Sequence, residues 1–167
     1  MRVKHPHRVQ HTYTQSLAAP TEQVFPLLCP VRETEWAPGW APACVVSASG
    51  VMEDGCLFVT PDELGDAVWI AVRHDPAAFY LELLKVVPNH LVGRYEIRLT
   101  PEPGDRTAAT IRYACTAISP AGEAFVDTLT PVWYEEFMRN WETALNFYLA
   151  NGRMIGAADT DTTPVDP

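Results

Sequence analysis

Val92-Gly93-Arg94-Tyr95-Glu96-Ile97-Arg98-Leu99-Thr100 changes side-chain character residue by residue, and that alternation decides how the chain folds. Successive side chains of an extended strand point to opposite faces. Arg94, Glu96 and Arg98 therefore share one face, and Tyr95, Ile97 and Leu99 the other. Residues 107–118 repeat the pattern, with Ile111, Tyr113 and Cys115 opposed to Thr110, Arg112 and Thr116. Residues 79–87 place Phe79, Leu81 and Leu83 opposite Tyr80 and Glu82. One sheet face is thus apolar, and the other carries Arg94, Arg98 and Arg112 beside Glu82 and Glu96, read as a solvated charge ladder.

Further strands are expected at residues 44–49, 56–60 and 67–74. The links between all of these are short and rich in Gly, Pro, Asp and Asn, which implies an antiparallel meander rather than crossover units. Ahead of the meander, residues 11–18 read as a first strand. Pro20 suits the first turn of a helix running to about Leu28, and a second helical turn at residues 31–35 ends before Pro38-Gly39. Behind the meander, Thr130-Pro131 caps a long helix and Gly152 stops it. Tyr134, Phe137, Met138, Trp141, Leu145, Tyr148 and Leu149 fall on one broad face of that helix, which at ~31 Å is long enough to cross a sheet. A shorter helix over residues 120–129 leads into it. Residues 1–10 read as a flexible arm, 11–155 as one domain, and 156–167, small, acidic and proline-punctuated, as a disordered tail.

Composition bounds what such a domain does. Apolar residues make up 47% of the 167 and charged residues 20%, the balance of an ordinary globular protein. Only 12 Lys and Arg stand against 21 acidic residues, a net charge of −9 that argues against nucleic acid. No apolar run reaches the ~18 residues of a membrane span, so no integral membrane association is expected. The basic amino terminus lacks the apolar stretch of a secretory signal, and cytoplasmic residence is the expectation. Cys29, Cys44, Cys56 and Cys115 form no Cys-x-x-Cys pair and read as small buried groups. His5 and His7 flank Pro6 with no third ligand nearby, so no metal is expected. Neither a nucleophile–base motif nor a glycine-rich phosphate loop is present, and no cofactor is implied.

Several motifs together carry a family resemblance. They are Ala19-Pro20-x-x-x-Val24-Phe25-x-Leu27-Leu28, Pro30-Val31-Arg32-Glu33-x-Glu35-Trp36-x-Pro38-Gly39-Trp40 and Gly55-Cys56-Leu57-Phe58-x-Thr60. Trp69-x-x-x-Arg73-x-Asp75-Pro76 and Thr116-Ala117-Ile118-Ser119-x-x-Gly122 complete the set. Over residues 12–152 the chain resembles the START/pollen-allergen (SRPBCC) superfamily, in its bacterial polyketide cyclase/dehydrase-like branch. The resemblance implies an α+β helix-grip fold: a curved antiparallel sheet of about seven strands wrapped around a long C-terminal helix, with two short helices after the first strand.

It also implies a cavity between sheet and helix for an apolar small molecule. Phe79, Leu81, Tyr95, Ile97, Ile111 and Tyr113 would line it from the sheet, with Phe58 and Trp69 beside them. Phe137, Met138, Trp141 and Leu145 would face them from the helix. The same residues would equally build a filled core. Trp36 and Trp40 flank a Pro-Gly turn, and either close one end of the cavity or pin the corner onto the core. Glu33 is a candidate polar contact for a ligand, or a cap or ion-pair partner for its surroundings. Arg73 and His74 point to opposite faces of one strand, and alternation does not say which looks inward.

Three functions fit this reading. A binding module for a lipid, aromatic or polyketide-like metabolite leads. A cyclase or dehydratase would need a base, with Glu33, Tyr113 and Arg73 or His74 as candidates, plus donors for an enolate. A co-chaperone-like interaction module would use Trp133 and Phe147 at the margins of the long helix, and a homodimer through that face is compatible with the sequence.

Overall fold

Seven strands form one curved antiparallel sheet in the order β1-β7-β6-β5-β4-β3-β2 in the computed structural model, which describes residues 1 and 3–160. They are β1 His7–Leu17, β2 Cys44–Val46, β3 Leu57–Thr60, β4 Ala67–Asp75, β5 Tyr80–Val87, β6 Leu91–Glu102 and β7 Arg106–Ala117. Strands β2 to β7 lie beside their sequence neighbours, as their short links require, and β1 closes against β7. The alternation holds: Gly93, Ile97 and Leu99 are buried while Arg94 and Arg98 are exposed. On the outer face Arg94 pairs with Glu82 at 2.7 Å and Glu96 at 3.0 Å, and Arg112 lies 3.6 Å from Glu96.

β1 begins at His7, earlier than its apolar pattern indicates, so residues 7–10 belong to the sheet and not to an arm. His7 pairs with Ala117 and Arg8 with Thr116, and two side chains add ties: Arg8 Nε donates to Thr116 Oγ1 at 2.7 Å, and His7 bonds Asp127 at 2.8 Å. The helix expected from Pro20 to Leu28 is also shorter. α1 spans only Thr21–Val24 before tightening into a 3-10 turn, Phe25–Leu27. Pro26 has no N–H to continue an α-helical ladder. A second 3-10 turn covers Arg32–Glu35.

α2 (Pro120–Thr128) and α3 (Pro131–Asn151) begin on side-chain caps: Ser119 accepts from the Gly122 amide and Thr130 from the Trp133 amide. A Cβ on Gly122 would lie 2.1 Å from the His90 carbonyl oxygen, so only glycine lets α2 pack onto the β5–β6 turn. α3 ends at Gly152, whose φ of 67° turns the chain left-handed while its N–H closes on Tyr148 O at 2.7 Å. Beyond it, Ala157–Thr160 forms a further turn, α4, with Arg153 gripping Asp159 through two contacts of 2.8 Å. The remainder of the expected acidic tail lies outside the described residues. Among those residues no helix is long and apolar enough to cross a membrane.

α3 docks chiefly along β1. Gln15 Nε2 donates to Met138 O at 3.1 Å, Ser16 N to Glu142 at 2.8 Å, Ala18 N to Asn146 Oδ1 at 2.8 Å and the Tyr13 hydroxyl to Glu142 at 3.0 Å. These bonds clamp the helix over one margin of the sheet. Across the other margin it meets the structure through aromatic rings.

Candidate functional site

Strand register stacks the inward side chains in rungs. One runs His74–Leu81–Ile97–Ile111–Tyr13, the next Ala71–Leu83–Tyr95–Tyr113–His11, and the third Phe58–Trp69–Lys85–Gly93–Cys115–Val9. A β-bulge between Ala71 and Arg73 shifts the parity of β4. That bulge settles the open question on this strand: His74 turns inward and stacks on Phe25 at 5.2 Å, with burial lowering its pKa. Arg73 stays exposed, bonds Asp75 at 2.9 Å and covers the outer ring of Tyr80, so it is no candidate for the interior. Phe79 departs from its expected place as well. It lies before β5 with φ 47° and ψ 48°, and its ring meets Phe25 edge-on at 5.9 Å, in the corner beneath α1 and away from the expected sheet wall.

The remaining rings form a continuous run. From the sheet side Trp40 meets Phe58 at 6.0 Å, Phe58 stacks on Trp69 at 5.4 Å, Trp69 meets Tyr95 at 5.2 Å, and Tyr95 stacks on Tyr113 at 4.4 Å. Tyr113 then reaches Tyr134 of α3 at 5.9 Å. Along the helix Trp133 stacks on Phe137 at 5.3 Å, Phe137 meets Trp141 at 5.9 Å, and Trp141 touches Trp40 at 6.4 Å. Gly93 lies beside these rings, where a Cβ would make ordinary contact, 3.4 Å from the Tyr113 ring and 3.7 Å from that of Tyr95.

Burial divides the expected lining in two. Leu81, Ile97, Ile111, Tyr113, Met138 and Leu145 are buried and pack as core, as are Phe58 and Trp69. Trp36 is fully buried, donates Nε1 to Leu27 O at 3.0 Å and stands edge-on to Trp141 at 5.1 Å, which pins the corner. Trp40 also ties back, to Pro30 O at 2.8 Å, but stays half-buried. Tyr95, Phe137 and Trp141 are half-buried too, although all face the interior. The rings of α3 and those of β3, β4 and β6 thus face one another in contact, with Trp40, Tyr95, Phe137 and Trp141 left partly uncovered. Two surface depressions, of about 340 and 320 Å³, lie elsewhere, the larger on the outer sheet face among Arg8, Arg94 and Arg112. Trp133 is 40% exposed at one end of the ring run, and Phe147 is half-buried beneath the Arg153 guanidinium.

Three sets of polar groups lie in this part of the protein. Burial raises the pKa of Tyr95, Tyr113 and Tyr134 well above the usual phenol value, so all three stay neutral at physiological pH, and the Tyr134 hydroxyl already donates to Ile111 O at 3.2 Å. Lys85, on the inward rung, pairs with Asp62 at 2.6 Å and lies 5.2 Å from the Trp69 ring centre. Both side chains of this pair are largely buried, and neither was singled out from the sequence. Lys85 shares the parity of Leu81 and Leu83, and that was the available signal. Glu33 is 9% exposed, and its carboxyl has no hydrogen bond or ion pair among the described residues. The neighbouring Arg32 bonds Glu35, which in turn accepts from the Tyr148 hydroxyl. Burial alone pushes the Glu33 carboxyl up to about 8. No group of metal-binding side chains occurs among the described residues.

No family model and no curated protein matches the sequence. Solved structures do match the fold. Norcoclaurine synthase from Thalictrum flavum superposes with a TM-score of 0.64 at 10% identity, covering 87% of this chain and 88% of that one. A START superfamily protein from Mycobacterium smegmatis gives 0.61 at 14% identity, over 84% and 97%. BexL, a di-domain ARO/CYC protein from the BE-7585A biosynthetic pathway, gives 0.62 at 16% identity, over 85% of this chain and 46% of its own. The chain thus has a helix-grip fold, shared with norcoclaurine synthase, a START superfamily protein and an ARO/CYC protein.

Proposed function

We propose that this protein binds an apolar, aromatic small molecule in a cleft between α3 and the β3–β6 part of the sheet. One observation carries the reading: Trp40, Tyr95, Phe137 and Trp141 face inward yet remain half-buried. Leaving large rings partly wet forgoes ~25 cal/mol for each Å² of apolar surface that a ligand would cover. A flat ligand sliding among stacked rings also finds offset and edge-on partners on both walls. The Trp40–Trp141 contact stands across the gap, so binding requires these two rings to part. Norcoclaurine synthase and the ARO/CYC protein share the architecture, which supports a small-molecule role without naming the molecule.

Acid–base catalysis of a cyclase or dehydratase kind is a second reading, favoured by the buried, unpaired Glu33 carboxyl. The co-chaperone-like reading would use exposed Val132 and Trp133. Trp133 stacks on Phe137, a wall of the cleft, so its exposure serves ligand binding equally.

Native mass spectrometry of the purified protein, with organic extraction of any adduct, tests the binding reading. A retained apolar compound, displaced by an aromatic competitor, is the expected result. A protein that carries no adduct and takes up no aromatic compound at saturating concentration would overturn it.

A further inference from the structure

A carboxyl that is nine-tenths buried and unpaired is costly to fold around, and nothing in the local packing requires one. No fully enclosed side-chain oxygen or nitrogen among the described residues lacks a partner. The unpartnered Glu33 oxygens are therefore not sealed in; they face open space. Its direction follows from the packing of the turn. Glu33, Trp36 and Ala37 are the buried residues of this turn, and the Glu33 carbonyl accepts from the amides of both Trp36 and Ala37, so Glu33 faces inward beside Trp36. Trp36 packs edge-on against Trp141, a wall of the cleft.

We infer that Glu33 orients the ligand: its carboxyl donates a hydrogen bond to a carbonyl oxygen borne by an otherwise apolar aromatic molecule. This deepens the proposed function and rests on it. Burial favours the protonated acid through neutrality, which suits a donor better than a base. The titratable residues that contacts place at this corner are Cys29, Arg32, Glu35 and Tyr148 of α3. None contributes to the Glu33 shift, whose sole cause is burial. Arg32, Glu35 and Tyr148 are bound to one another.

The test compares 2-acetylnaphthalene with 2-ethylnaphthalene, which has the same ring system without the carbonyl, by tryptophan fluorescence titration from pH 6 to 9.5. The full chain at pH 6 is expected to hold the ketone ~5- to 10-fold more tightly, the size of one well-made hydrogen bond. That preference should vanish as pH rises through about 8, where Glu33 ionises and its oxygens repel the ketone. Glu33→Gln, folded by circular dichroism, keeps a donor and should show the preference with no pH dependence. Equal binding of both probes at pH 6, or the same pH profile in Glu33→Gln, overturns the role of Glu33 while leaving the cleft intact. Binding of neither probe removes the cleft reading and this inference together.

Discussion

Trp40 and Trp141 meet edge to face, their ring centres 6.4 Å apart, where the turn ahead of β2 comes closest to α3. This contact lies on the side of α3 away from β1, where the Tyr148 hydroxyl also donates to Glu35. A gate of this kind slows both arrival and departure of a ligand. Trp40→Ala should raise the association and dissociation rates of 2-acetylnaphthalene several-fold each, changing its affinity by less than about tenfold. Stopped-flow fluorescence measures both rates. Unchanged rates would mean that the ligand reaches its site by another route.

The buried Lys85–Asp62 pair gives a stability prediction. Removing one partner of such a pair leaves the other charged and desolvated, at a cost of about 3–5 kcal/mol. Asp62→Ala should lower the stability by that amount in urea unfolding, and adding Lys85→Met should restore most of it. A loss below ~1 kcal/mol in the single variant would show the pair to be as weak as a surface one.

Glu33 ties stability to pH. Its carboxyl ionises near 4.5 in an unfolded chain and at about 8 in the folded one. Between those values the folded state holds a proton that the unfolded state has lost, so stability declines as pH rises and levels off above 8. The full decline is on the order of 4 kcal/mol. Glu33→Gln should abolish that part of the profile, seen as a smaller difference between urea midpoints at pH 5 and 8.5. Matching profiles in the two proteins would contradict the assignment.

Gly122 makes a purely steric prediction. A methyl group there would collide with the His90 carbonyl, which belongs to backbone and has little freedom to move. Gly122→Ala should therefore cost about 2 kcal/mol or more despite the better helix propensity of alanine. Thermal unfolding of the variant reads this directly, and a stabilised variant would show that α2 shifts freely.

The sheet and α3 were legible because they rest on local periodicity. Tyr95, Ile97 and Leu99 announce their face without help from distant residues, and Thr130-Pro131 with Gly152 bounds α3 at both ends. What stayed hidden depends on a backbone irregularity or on contacts made through space. The bulge between Ala71 and Arg73 changes the parity that would otherwise assign Arg73 and His74. Phe79 falls just outside β5 because the 3-10 turn Pro76–Ala78 ends on it in a left-handed conformation, although its carbonyl still accepts from Leu99 N. Lys85 reads as an intruder on an apolar face until Asp62, from the loop between β3 and β4, comes to meet it. Glu33 had two ordinary explanations in the sequence; its carboxyl makes no capping hydrogen bond among the described residues, and Arg32 pairs with Glu35 instead.

Intermolecular nuclear Overhauser effects between the naphthalene protons of bound 2-acetylnaphthalene and the protein's side chains test the central claim most directly. Contacts to Tyr95, Phe137 and Trp141 are expected, with the acetyl methyl nearest Trp36 and Glu33. Contacts confined to Val92, Leu84 and Ala114, around the depression on the outer sheet face, would place the ligand on the wrong side of the sheet and contradict it.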